Sequence, residues 1–259
     1  MKLKKRQSKI IDIIRQQGRV TVDDLVTLFD ASAETIRRDL KALSKKGKVQ
    51  KVHGGATLPG ALEEGPFQQR IGENVEAKRH IAQKAAQLIS AGNTLFIATG
   101  SSTLIFSEEL LNIPELTVVT NSLDVAEVMS GSKKKARVFL LGGEYSKSIR
   151  ATYGSLVIAQ LSLFHVDHAI VSAGAMDATA GVMGFDFDEV NIENAMLDHA
   201  ENTVLLLDSS KFARIAPYKI GRLNQFDQLV CETQPGNLLQ DALVKNNVNI
   251  ICTNTDPPP

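Results

Sequence analysis

Arg37, Arg38, Lys41 and Lys45 are interleaved with Ile36, Leu40 and Leu43 at helical spacing. With about 100° between successive residues, the three apolar side chains fall in one narrow arc that must face a core. Arg38, Lys41 and Lys45 then point almost directly away from that arc, with Arg37 on its flank. A row of cations on an outward helix face suits neutralisation of a phosphate backbone. A second set of capable residues sits in four short segments: Thr99-Gly100-Ser101-Ser102-Thr103, Thr120-Asn121-Ser122, Gly142-Gly143 and Asp208-Ser209-Ser210-Lys211. Their small residues permit close backbone approach, their hydroxyls add donors, and Lys211 brings a point charge. That combination suits a phosphate and a polyol.

The elements that must position the first set are three short helices within residues 1–47. The first carries Ile10, Ile11 and Ile14 on one side and ends before Gly18. The second starts at Thr21, which with Asp24 makes a start like a capping box. It is expected to bury Leu25, Leu28 and Phe29. The third follows Ser32 as N-cap and stops at Gly47. The connection Asp30-Ala31-Ser32 has the length of a helix-turn-helix. Lys48 to Val52 then alternates in strand fashion and runs into His53-Gly54-Gly55, which makes a basic hairpin, or wing, after the exposed helix.

Charge divides the chain in the same place. Residues 1–55 hold 14 basic and 6 acidic side chains, net +8, and the rest hold 15 and 23, net −8, so the zero total conceals two modules with different partners. A Lys/Arg run is more often a solvated surface than a site. Here the clustering of the excess and the helix-turn-helix rhythm favour DNA.

Residues 56–66 hold two Pro and two Gly without periodicity. The expected organisation is therefore a DNA-binding domain at 1–57, a linker at 58–72 and a second domain at 73–259. From Lys78 onward helical and strand patterns alternate. Strands are expected at 94–98, 116–119, 138–141, 169–171, 204–207 and 248–252, and helices near 78–90, 102–111, 123–130, 189–200 and 237–245. Continuous apolar strands separated by helices imply an α/β domain with a mostly parallel sheet covered on both faces. The four polar segments then follow strand C-termini, where such sheets collect ligands.

Ser32-Ala33-Glu34-Thr35-Ile36-Arg37-Arg38-Asp39-Leu40, then Gly47, then His53-Gly54-Gly55-Ala56 resembles the N-terminal signature of the DeoR family of bacterial sugar-metabolism repressors. The likeness continues from Pro66-Phe67 through Thr99 to Thr103, Thr120-Asn121-Ser122 and Leu141-Gly142-Gly143 to Asp208 to Phe212. It implies a winged helix-turn-helix followed by a domain similar in fold to ribose-phosphate isomerase and CoA-transferase-like proteins. Carried onto this chain, it makes Arg6, Ser32, Thr35, Arg37, Arg38, Lys41, Lys45, Lys51 and His53 the DNA-binding candidates. The effector candidates are Thr99, Gly100, Ser101, Ser102, Thr103, Asn121, Ser122, Gly142, Gly143, Glu189, Asp208 and Lys211. Four positions depart from the family habit. Lys51 stands where Arg is frequent, Lys147 lies in a segment where Arg is frequent, Glu193 replaces a common Lys, and Ala213 replaces a common Gly. Glu193 is expected to be an exposed helix charge. Asp186 and Asp188 are expected to start a helix, and Glu189 to touch the ligand or serve that same helix start.

The resulting expectation is a cytoplasmic DNA-binding regulator, a repressor in the family manner, that is relieved by a phosphorylated sugar and acts as a homodimer or homotetramer. No membrane partner, cofactor, metal or catalytic residue is expected. His165 and His168 are the nearest approach to a ligand pair, and Cys231 and Cys252 read as buried strand thiols. The competing readings are a sugar-phosphate isomerase with a basic appendage and a DNA coater without effector. Neither G-x-x-x-x-G-K-[ST] nor G-x-G-x-x-G occurs in the chain.

Overall fold

The computed structural model describes residues 3–17, 19–46, 48–52, 54–57 and 65–253. The expected roles of Gly18, Gly47 and His53 lie outside the described residues.

The N-terminal domain comprises α1 (Leu3–Gln17), β1 (Arg19–Thr21), α2 (Val22–Phe29), α3 (Ala33–Lys45), β2 (Gln50–Val52) and β3 (Gly55–Thr57). Ile10 and Ile14 of α1, Leu25 of α2, and Ile36, Leu40 and Leu43 of α3 form its core with Val20, Val49 and Ala56. The Thr21 cap is reciprocal: the Asp24 amide donates to Thr21 Oγ1 at 3.1 Å, and the Thr21 amide donates to Asp24 Oδ2 at 3.1 Å. Hydrogen bonding of the carboxyl by the Thr21 side chain and amide holds Asp24 below its ordinary range. Asp30 ends α2 in the left-handed region, φ 47°, and the Thr35 amide donates to Ser32 Oγ at 3.3 Å to start α3. The turn between the two helices is thus closed from both sides.

Two features differ from the sequence expectation. Leu28 is 61% exposed rather than buried. The buried stripe of α2 runs through Val22, Leu25, Val26 and Phe29, and Leu28 lies roughly 110° from its centre. The wing is a three-stranded sheet, not a bare hairpin, because β1 joins in the order β1-β3-β2. Its three residues are too few to show a period in the sequence. Gly55 sits where that third strand passes, and a Cβ there would lie 2.0 Å from the Val20 carbonyl oxygen.

Residues 67–72, expected as the end of the linker, form helix α4 (Phe67–Gly72). Phe67 is buried and α4 packs on a later helix, so apolar anchorage overrides the loop-like composition before it. There follow α5 (Val75–Ala86), β4 (Thr94–Ile97), α6 (Ser101–Glu109), β5 (Thr117–Thr120), α7 (Leu123–Ser130), β6 (Arg137–Leu140), β7 (Glu144–Ser146), β8 (Ala151–Tyr153) and α8 (Ser155–Leu161). The remainder is β9 (Val166–Ser172), β10 (Ala175–Asp177), β11 (Gly181–Gly184), α9 (Phe187–Asp198), β12 (Ala200–Leu206), β13 (Tyr218–Gly221), β14 (Gln228–Cys231), α10 (Asn237–Lys245) and β15 (Asn249–Cys252).

The main sheet has seven strands in the order β15-β14-β12-β9-β4-β5-β6, and every neighbouring pair is parallel. Successive side chains on a strand face opposite sides, so continuous apolar strands feed two cores. Leu95, Ile97, Val118, Ile170 and Val204 pack with Ile81, Ile105, Phe106 and Val125 of α5, α6 and α7 on one side. Phe96, Val119, Ala169, Val171 and Leu205 pack with Val157, Met196 and Leu243 of α8, α9 and α10 on the other. Two side chains correct the sequence reading. Glu193 is buried at 6% exposure on α9, not an exposed charge, and Cys252 is half-buried while Cys231 is fully enclosed. The edge position of β15 leaves Cys252 one uncovered side.

Candidate functional site

On the N-terminal domain the outward face of α3 carries Arg37, Arg38, Lys41 and Lys45, all exposed, and β2 adds exposed Lys51. Ser32 and Thr35 sit at the start of α3 with their hydroxyls 2.9 Å apart, engaged with each other and with the helix cap. Arg6 is placed differently from the other candidates. Its Nε donates to Asp39 Oδ2, while Gln7 Nε2 donates to Asp39 Oδ1 at 3.0 Å. The Asp39 side chain is 2% exposed and that of Arg6 15%, so this pair pins α1 to the inner side of α3. Arg6 therefore orients the cationic helix, and α3 with β2 presents the free charge.

In the C-terminal domain the four polar segments all follow C-terminal ends of parallel strands in the same sheet. They divide into residues that build the loops and residues left available. Thr103 Oγ1 donates to the carbonyls of Ala98 and Gly100 at 2.7 and 3.0 Å, which shapes the turn into α6. Thr99 Oγ1 donates to Asn121 Oδ1 at 3.2 Å, and Asn121 Nδ2 donates to the Thr152 carbonyl at 3.0 Å. Ser122 caps α7 by accepting from the Val125 amide. Both backbone groups of Gly142 are held by the Gln160 amide, at 3.0 and 2.8 Å. At Gly143 a Cβ would lie 2.4 Å from the Tyr153 carbonyl oxygen, so glycine is required by the strand crossing. Asp208 accepts from the Ser210 amide at 3.1 Å and from Asn74 Nδ2 at 3.0 Å, which ties the turn after β12 to the start of α5.

What remains is the start of α6. Gly100 gives it no side-chain cap, so its first amides lack an internal acceptor. Ser101 and Ser102 are each 6% exposed, and neither hydroxyl has a hydrogen-bond partner among the described residues. Gly100 rests on β9: a Cβ there would fall 2.3 Å from Ser172 Oγ. Lys211 stands at this same end of the sheet with Lys78, whose ammonium is buried and donates to the Arg70 carbonyl. Burial pushes the Lys78 pKa down, with Lys211 and Arg70 adding to the effect and nearby Asp208 opposing it. Positive helix-end potential, the two serine hydroxyls and the lysine charges at this end of the sheet are features that suit an anion.

An open cleft of about 360 Å³ is lined by Tyr145, Ser146, Tyr153, Asp186 and Glu189, among others. Tyr153 is buried, and its hydroxyl donates to Glu189 Oε1 at 3.4 Å. Burial and the nearby Glu189 and Asp186 push its phenol well above the ordinary range, so it stays a neutral donor. Asp186 caps α9, accepting from the amides of Asp188 and Glu189 at 2.9 and 3.0 Å. Lys78, Asn74, Ser172, Tyr153 and Glu232, whose carboxylate takes the Ser209 amide at 2.9 Å, were not picked out in the sequence. Lys78 had a signal: it occupies a position in the apolar stripe Lys78, Ile81, Ala82, Ala85.

A winged helix-turn-helix joined to an α/β domain with polar loops gathered at one sheet end defines a class: transcription regulators that carry a sensor domain. Residues 6–60 match the DeoR-like helix-turn-helix domain, and residues 73–233 match the DeoR C terminal sensor domain. The chain belongs to the DeoR family. It is 32% identical to the glycerol-3-phosphate regulon repressor of Escherichia coli K12, over 96% of this chain and 99% of that protein. It is also 32% identical to the transcriptional repressor GlcR of Bacillus subtilis, over 95% of each, and to the L-fucose operon activator of Haemophilus influenzae, over 90% and 94%. These relatives are regulators of transcription, in keeping with the reading that the chain is not an enzyme. Among solved structures, ribose 5-phosphate isomerase A of Methanocaldococcus jannaschii aligns with TM-score 0.40 and 18% identity, over 54% of this chain and 55% of that one. No helix among the described residues is long and apolar enough to cross a membrane.

Proposed function

We propose that this DNA-binding regulator represses a sugar-catabolic operon in the cytoplasm and is released by a phosphorylated sugar bound at the start of α6. The observation that carries the effector reading is the pair Ser101 and Ser102, residues 6% exposed whose hydroxyls have no hydrogen-bond partner among the described residues, at an uncapped helix N-terminus, with Lys78 and Lys211 at the same sheet end. A phosphoryl group accepts from donors of these kinds. The sugar hydroxyls are assigned to the cleft lined by Tyr153 and Glu189, where the Glu189 carboxylate accepts from them.

On the DNA side α3 enters the major groove, Arg37, Arg38 and Lys41 meet phosphates or base edges, and Lys51 on the wing grips the backbone. The working assembly is a homodimer or tetramer that sets two such helices about 34–36 Å apart on a palindromic operator. Residues 1–57 serve as the reading head, 58–66 as the connection, and the chain from α4 onward as the sensing and assembly body. Effector binding favours an arrangement of the heads that fits the operator less well, with a coupling of about 1–3 kcal/mol.

The test is a mobility-shift titration on the DNA upstream of the protein's own gene, with phosphorylated sugars added singly. The expected result is a specific complex that one or a few of them dissolve. A complex that no phosphorylated sugar alters, or turnover of a sugar phosphate by the purified protein, would overturn the proposal.

A further inference from the structure

Helix α4 is the first element after the connection from the DNA-reading head, and it has only six residues. A helix that short has no stability of its own in water. Its N-cap, Pro66, makes no side-chain hydrogen bond, so the helix depends on what grips it from the body. Two groups do so. Phe67 inserts its ring into the body at 2% exposure, with the Arg70 guanidinium stacked 5.5 Å from the ring centre. At the other end the Lys78 ammonium donates to the Arg70 carbonyl, in the last turn, where a cation best opposes the helix dipole.

Lys78 is thus shared between two claims. One is the Arg70 carbonyl, a neutral acceptor. The other is the proposed anion site: Asn74, one turn before Lys78 at the start of α5, bonds Asp208 and Ser210, the neighbours of Lys211 in the turn after β12. A phosphoryl oxygen carries full negative charge and forms a charge-assisted bond that is stronger than one to a carbonyl. The contest is decided by whether the anion is present.

We propose that Lys78 is a two-position latch: without effector it caps α4, and with an anion at the start of α6 it turns to that anion, so that α4 unwinds and the tether to the DNA-reading head lengthens. With α4 formed, nine residues separate Thr57 from Phe67; with α4 released, sixteen separate Thr57 from Asn74. A longer tether lowers the effective concentration of a second head at its half-site and weakens paired operator binding without touching α3. Asn74 anchors the new tether end, since its amide holds Asp208 and Ser210. The inference rests on the proposed effector site and assigns how that site is read out.

Hydrogen exchange on the full-length protein tests it, with inorganic phosphate, glycerol 3-phosphate and glucose 6-phosphate as probes and calorimetry to establish binding. Amides of residues 69–73, including the Glu73 amide that donates to the Arg70 carbonyl, are expected to exchange at least tenfold faster once an anion is bound, while α5 stays protected. Phe67→Ala, which loosens α4 without altering any anion ligand, is expected to exchange quickly and bind operator weakly with no anion present. By thermodynamic reciprocity it should also bind the anion more tightly than the wild type. Lys78→Met should show the loose α4 and weakened anion binding together. Bound anion with unchanged exchange at 69–73, or Phe67→Ala with wild-type operator and anion affinity, would overturn the latch and leave the effector site standing. Failure of every probe to bind would overturn the effector site and the latch with it.

Discussion

On α3 the four cations Arg37, Arg38, Lys41 and Lys45 stand in solvent, whereas in the sensor loops Thr103, Asn121, Ser122 and Asp208 are no more than 2% exposed and bonded within the domain. The first surface addresses a long polyanion whose own field draws it in, so it needs free charge more than fixed geometry. The second is proposed to address one small molecule; most of its polar atoms hold the loops in place, and the hydroxyls of Ser101 and Ser102 are left without a partner among the described residues. The functional face of the head can be counted from its exposed charges. That of the sensor is found only after its internal bonds are subtracted.

The largest effect expected from probing this contrast lies at the one place where the head uses a buried charge as the sensor does. Asp39→Ala strands Arg6 and Gln7 and should destabilise the N-terminal domain by about 3–5 kcal/mol, read by denaturant unfolding, with effector affinity unchanged. Asn121→Leu removes the bridge between Thr99 and the Thr152 carbonyl and should cost the sensor domain about 2–3 kcal/mol. Its thermal transition should fall while the head keeps its own, and a shift of both would break the separation. Arg38→Ala removes an exposed cation only. It should lower operator affinity roughly tenfold and flatten the salt dependence by about one phosphate contact, with no change in melting temperature. The smallest effect concerns backbone strain beside Lys211. Ala213 holds φ 52°, and Ala213→Gly should stabilise the sensor by about 0.5–1 kcal/mol in thermal denaturation.

The N-terminal domain was legible because its helices carry caps and stripes in the chain itself. Thr21 with Asp24, Ser32 with Thr35, and the arc of Ile36, Leu40 and Leu43 all act within one helix. Leu28 was misplaced because eight residues of α2 leave room for two adjacent apolar stripes. The parallel sheet was legible from its continuous apolar strands alternating with helices. The three-residue β7, β8 and β10 carry too little pattern to be seen. In the sensor site, residue types named the right loops but not each residue's task. Thr103 and Ser101 look alike in sequence, yet one is spent on Ala98 and Gly100 while the other is unspent. Lys78 and Glu193 were hidden by the opposite assumption, that a helix charge faces water. Both are buried, and only the packing of α5 and α9 reveals it.

Lys211 offers the sharpest test of whether reading DNA and sensing the sugar phosphate are separate tasks. Operator occupancy is followed by fluorescence anisotropy while the releasing sugar phosphate is titrated into wild-type protein and into Lys211→Met. The predicted outcome is equal operator affinity for both proteins before ligand, release of the wild type, and retention of the variant until at least tenfold more ligand is present. A variant that binds operator poorly from the start, or that lets go at the wild-type concentration, contradicts the account.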